Sequence, residues 1–138
     1  MDIMSMLSIK WWALLIGVGI SFIIGMLWYG PIFGRQWMKL IGITPESIQD
    51  GGSPLVYVGS LLTSLITIYG LGIVLNLINS QNICSAIAAG LLLWFSFYLA
   101  PTINHYSYES RPSKLLLINC FYDFVFIILV SIVLQLAR

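Results

Sequence analysis

Apolar positions fall in four long blocks separated by short polar stretches. The first block runs from about Trp11 to Tyr29, contains no charged residue, and is bounded by Trp11-Trp12 at one end and Trp28-Tyr29 at the other. Rings with a polar edge favour the lipid headgroup region. At helical rise the block measures about 27 Å, close to the ~30 Å of a bilayer's hydrocarbon core. No small-x-small cleavage pattern follows it, so it reads as a retained helix rather than a leader. Residues 51–108 also carry no charge. That stretch is too long for one span but suits two, at about 54–78 and 83–102, joined by the tight turn Asn79-Ser80-Gln81-Asn82. Pro112 opens a fourth span at about 113–137. The expected fold is all-α: one polytopic membrane domain over residues 1–138, with four transmembrane helices in a bundle.

The segment between the first two spans has a different pattern. Phe33, Trp37, Leu40 and Ile41 share one helical face, and Arg35 and Lys39 lie on another at i, i+4. This amphipathy predicts a short helix in the membrane interface. Thr44-Pro45-Glu46 supplies a hydroxyl cap, a first-turn proline and an acid, and so predicts a second short helix ending at Gly51-Gly52. Between the third and fourth spans, Asn104 to Ser113 reads as a polar loop.

Composition removes the remaining alternatives. Charged residues make up 8% of the 138 positions against about 25% in a soluble domain, and mean hydropathy is +0.98. A net charge of +1 with no basic patch excludes nucleic acid as a partner. Cys84 and Cys120 have no metal-type spacing and fall at different depths, so both are expected as free thiols. No metal or cofactor motif is present. With an even number of spans, both termini share a side with the 79–82 turn and carry Lys10 and Arg138. The other side carries Arg35, Lys39, Arg111 and Lys114. The positive-inside rule then puts the loops in the cytoplasm and the termini outside the cytoplasmic membrane.

Three constellations carry candidate chemistry. Ala13, Gly17, Ser21 and Gly25 recur every four residues along span one, and small residues at that spacing let helix backbones approach closely in lipid. Shorter runs of the same kind occur at Gly59, Thr63 and Thr67 in span two, and at Ser85, Ala86, Ala89 and Gly90 in span three. Such stripes serve packing within one bundle or a homo-oligomer. Asp123 is the one charge inside a span, about 13 Å past Lys114 at helical rise. A carboxylate at that depth faces the bundle or water. It either belongs to an ion or ligand path with Asn119, one turn earlier, or is a structural acid bonded to a hydroxyl of a neighbouring helix. His105 and Glu109, four apart beside Arg111 and Lys114, extend that path or form a salt-bridge cluster with Glu46 and Asp50. An acid-base pair from His105 and Glu109 lacks a nucleophile.

Two motifs resemble a known family. Trp28-Tyr29-Gly30-Pro31-Ile32-Phe33-Gly34-Arg35-Gln36-Trp37-Met38-Lys39, followed by Gly42-Ile43, is similar to the signature of the domain of unknown function 1761 family. So is Ala100-Pro101-Thr102 followed by Tyr106, Glu109, Arg111-Pro112, Lys114 and Ile118-Asn119. The resemblance implies four helices and a shared loop-side surface built from Trp28, Tyr29, Pro31, Phe33, Gly34, Trp37, Glu109, Arg111, Pro112, Lys114 and Asn119, with Asp123 outside the pattern. Each motif ends a span with aromatics, turns at a proline and presents basic residues, which suggests two related hairpins. Arg35, Lys39, Arg111 and Lys114 suit anionic headgroups, at about 1 kcal/mol each. The expected function is non-enzymatic: helix packing in a homo-oligomer or as an accessory subunit. The alternative is a small transporter or channel with a path near Asp123, Asn119 and His105.

Overall fold

The computed structural model describes residues 3–44, 46 and 54–138. Four helical stretches in it are long and apolar enough to cross a membrane: Ile3–Ile32, Pro54–Leu77, Ile83–Tyr108 and Ser113–Leu136. The protein is therefore an all-α, multi-pass membrane bundle, with one additional helix, Gly34–Ile41, in the first loop. That helix ends at Gly42, whose φ of 73° is the left-handed cap that glycine adopts at little cost. The second loop helix expected from Thr44-Pro45-Glu46 lies outside the described residues apart from the exposed Thr44 and Glu46, and Asp50 also lies outside them.

The fourth span lies against all the others and organises the bundle. Its buried residues Phe126, Val130 and Leu134 meet Ala13 of span one, Ile68, Leu71 and Leu75 of span two, and Ala86 of span three. All of these lie in the half of the bundle nearer the termini, where hydrogen bonds tie the chain ends together beside a cleft of about 300 Å³ lined by Lys10, Gly72, Leu134 and Arg138 among others. Arg138 donates to the Ser80 carbonyl at 2.5 Å, Gln135 donates to the same oxygen at 3.3 Å, and Lys10 donates to the Arg138 carbonyl at 3.4 Å. Asn82 and Ser85 cap the third span reciprocally. A short helix, Ile3–Leu7, which hydrophobic patterning did not reveal, precedes span one, and Asn76 secures it by donating to the Met6 and Ser8 carbonyls.

The small-residue stripe of span one faces into the chain's own bundle. Ala13, Gly17 and Ser21 are buried. A methyl group at Gly17 would lie 2.8 Å from the Ile68 side chain, and one at Gly25 would lie 3.8 Å from the Tyr122 hydroxyl. In span three, Gly90 leaves room for Ser131 and Ile127 of span four. The span-two run behaves differently: Gly59 has no neighbour within 4 Å, and Thr63 and Thr67 are exposed.

Spans one and three each contain a π-helical turn, Trp28–Ile32 and Trp94–Leu99. Proline has no N–H and its ring crowds the preceding turn. The first π turn contains Pro31 and a sharp break at Gly30, and the second precedes Pro101. Widening at the second turn lets the helix continue through Pro101 to Tyr108. This corrects the expected end of span three at about residue 102 and most of the polar loop from Asn104 to Ser113. The connection closes with Ser110 in the left-handed region and the Arg111 N–H bonded to the Tyr106 carbonyl at 3.0 Å.

Replacing Gly17 with leucine should force spans one and two apart and destabilise the fold by about 1–3 kcal/mol, as overpacking does elsewhere. Gly19→Leu, at a position with open space around it, should leave the unfolding temperature in detergent nearly unchanged. Equal effects of the two substitutions would contradict this packing.

Candidate functional site

A stripe of polar groups runs along the loop-side half of span four, and spans one and three turn their π-helical tyrosines onto it. The Tyr29 hydroxyl donates to Asn119 Oδ1 at 3.0 Å, and Asn119 Nδ2 donates to the Tyr106 hydroxyl at 2.9 Å. One helical turn further, Tyr98 of span three lies beside Asp123, both lining the same cleft. Between them, the Tyr122 hydroxyl donates to the Ser21 carbonyl at 3.2 Å. The Ser21 and Ser64 hydroxyls pair at 2.7 Å. Lipid offers no hydrogen-bond partners, so these groups satisfy one another across the bundle.

The two motifs meet on this stripe. The Trp28 indole donates to the Ile118 carbonyl at 2.9 Å, and the Phe33 ring lies 4.8 Å from that of Trp28. Trp37 meets Tyr29 edge-on at 5.2 Å. Gly34 is required by close approach, because a methyl group there would lie 2.5 Å from the Tyr29 carbonyl oxygen. In the second motif, the Arg111 guanidinium sits 5.4 Å from the Tyr106 ring centroid and pairs with Glu109 at 2.5 Å. Trp28, Tyr29, Phe33, Gly34, Trp37, Asn119 and Tyr106 thus form a clasp between spans. Pro31, Arg35, Lys39, Pro112 and Lys114 remain exposed on the loop side.

Beside the clasp is a cleft of about 750 Å³ between spans one and two, with Tyr122, Asp123 and Phe126 of span four in its wall. It exists because span two packs from Ser64 onward, while Leu55, Val56, Tyr57 and Leu62 are all more than half exposed. A second cleft, of about 320 Å³, lies on the other side of span two and is lined by Trp94, Tyr98, Asp123 and Phe126 among others. Thr67, Asp123 and Phe126 line both. The Trp94 indole nitrogen is buried without a hydrogen-bond partner among the described residues. Among the described residues, no Lys, Arg or His forms an ion pair with Asp123.

Not all the residues picked from sequence converge here. Asp123 lines the clefts, and Asn119 sits one turn away in the clasp. His105 and Glu109 line neither cleft: both are exposed, on or at the end of the helical extension beyond Pro101, and Glu109 is taken up by Arg111. They lie on the loop side of the clasp rather than beside Asp123. Tyr98 is one of four aromatics between Trp94 and Tyr98 of span three, and nothing in the spacing of the sequence pairs it with Asp123. Cys84 is exposed and Cys120 buried, both as free thiols. No group of three or more His, Cys, Asp or Glu side chains suited to a metal ion occurs among the described residues.

Breaking the clasp should be measurable. Tyr29→Phe and Asn119→Leu, alone and together, should give a coupling energy of about 0.6 kcal/mol in a double-mutant cycle, the usual size for a hydrogen bond between membrane helices. Strict additivity would mean that the bond contributes nothing.

Known proteins provide a family but no activity. Residues 12–135 match the family described as "Protein of unknown function (DUF1761)". Similarity also extends to the UPF0591 membrane protein C15E1.02c of Schizosaccharomyces pombe, 24% identical over 112 residues, covering 78% of this chain and 76% of the yeast protein. No solved structure matches.

Proposed function

The chain belongs to the DUF1761 family, and from that premise we propose that it is a non-catalytic membrane carrier that takes up a small solute at Asp123 from the loop side. One observation carries the reading: the acid within the spans lines a cleft in the open half of the bundle, and packed apolar residues separate that cleft from a smaller one, of about 300 Å³, at the chain ends. An intramembrane carboxylate is expensive to keep and marks a substrate or ion pathway by default. Two clefts at opposite ends of a bundle, separated by packed residues, are what an alternating-access cycle needs. The element suited to move is the loop-side half of span two, which divides the two clefts that share Asp123.

Assembly through small residues is the weaker reading, because the Ala13-Gly17-Ser21 stripe is already covered within the chain. Self-association would use lipid-facing sides instead. Asp123 falls outside the family pattern described above, so the carrier role is proposed for this chain and the clasp for the family. The exposed Arg35, Lys39 and Lys114 would hold the loop side against anionic headgroups.

In this reading the loops are cytoplasmic and the termini outside. In a chain carrying Cys84→Ser and Cys120→Ser, Gln81→Cys should therefore react with an impermeant thiol reagent added to intact cells, and Lys39→Cys only after permeabilisation. The reverse pattern would invert the orientation.

Transport itself is tested in proteoliposomes given inward gradients of protons, potassium and a panel of organic amines. The unsubstituted protein should pass current for at least one of them. Asp123→Asn should abolish that current while eluting and unfolding like the parent. Equal currents from the two would remove the carboxylate from the mechanism, and no current under any gradient would favour assembly.

A further inference from the structure

The walls of the larger cleft indicate what kind of solute would fit. Trp37, Tyr29, Tyr122 and Phe126 form a continuous row of rings, with centroid separations of 5.2, 5.3 and 6.4 Å. All four line the cleft, as do Phe22 and Tyr57. Aromatic faces carry negative charge density and attract cations, most strongly where water is excluded. Asp123 adds a carboxylate with no basic partner among the described residues.

The hydroxyls of the cleft do not offset this bias. Ser60 donates to the Val56 carbonyl at 2.8 Å, Thr63 to Gly59 at 3.0 Å and Thr67 to Thr63 at 2.9 Å. Tyr29 and Tyr122 donate to Asn119 and to the Ser21 carbonyl. These hydroxyl hydrogens are spent on protein acceptors, and no Lys, Arg or His is among the described lining residues. An anion would therefore meet a carboxylate and π faces. A divalent metal ion would find one carboxylate where stable sites use several hard oxygen ligands. The volume is within the ~300–1,000 Å³ of small-molecule sites.

We propose that this cleft binds hydrophobic organic cations, that is, ammonium or phosphonium ions bearing aromatic or alkyl groups, with the charge at Asp123 and the apolar groups on the Trp37–Tyr29–Tyr122–Phe126 row. The proposal deepens the carrier reading by naming the solute class, but binding can be measured without transport.

The probe is tetraphenylphosphonium, titrated into the purified full-length protein in detergent by calorimetry, with tetraphenylborate as an anion of the same shape. Tetraphenylphosphonium should bind saturably at one site per chain. Asp123→Asn should weaken binding at least about tenfold, equivalent to 1.4 kcal/mol, and Asp123→Glu should recover most of it. Tyr57→Ala, which removes an exposed wall ring, should weaken binding about threefold without changing the unfolding temperature, as the loss of one cation–π contact would. Tetraphenylborate should only partition without saturating. Equal affinity in Asp123→Asn, saturable binding of the anion, or no binding of the cation would each overturn the proposal. If the cation fails to bind while an Asp123-dependent proton or potassium current persists, the solute class is wrong and the carrier stands. If the cation binds with the expected selectivity and no current is found, the site stands and the carrier falls.

Discussion

Every polar group at lipid depth must find its partner inside the protein, and in this bundle span four carries the groups that the other spans must satisfy. Asn119 and Asp123 lie one turn apart on one face, with the Ile118 carbonyl and Tyr122 beside them. Tyr29 and Trp28 of span one reach the upper part of this stripe and Tyr98 of span three the lower. Leaving any one of these buried groups unpaired would cost about 1–3 kcal/mol, so the stripe fixes where spans one and three sit. The two π-helical turns turn the tyrosines onto it, and prolines that would otherwise break helices sit inside one turn and just after the other.

Span two contributes least to this network. Among the described residues it joins the network through Ser64, paired with Ser21, after which apolar packing on Ile68, Leu71 and Leu75 takes over. The bundle therefore has a tight half and an open half, and Asp123 lies at their boundary. An acid buried in the tight half would need a cation or a proton to be tolerated. At the boundary it can lie beside a tyrosine and face a cleft. Location, rather than the presence of a carboxylate alone, makes this residue a plausible site of chemistry.

Much of this was legible in the sequence, for identifiable reasons. Apolar blocks of the right length mark the four spans, and the Phe33–Ile41 amphipathy marks the loop helix. The i, i+4 placement of Asn119 and Asp123 gave the polar face. What could not be read depends on backbone detail. Proline at position 101 looks like a helix end unless the preceding turn widens, so the extension to Tyr108 was hidden, and with it the distance of His105 and Glu109 from Asp123. Tyr98 had no spacing relation to span four. The short helix at Ile3–Leu7 is held by Asn76, seventy residues away in sequence, and nothing local signals it. The small residues of span one were recognised as a packing stripe, but only the fold could say that Ile68, Ser64 and Tyr122 of the same chain occupy it.

The central claim is that position 123 is reached from the loop side and shielded from the terminal side. It is tested most directly by introducing Asp123→Cys into a chain carrying Cys84→Ser and Cys120→Ser, and applying a water-soluble methanethiosulfonate reagent to one face of reconstituted, uniformly oriented membranes at a time. Labelling from the loop face, with none from the terminal face, is the predicted result. Labelling from the terminal face, or from neither face in protein that remains folded, would contradict it.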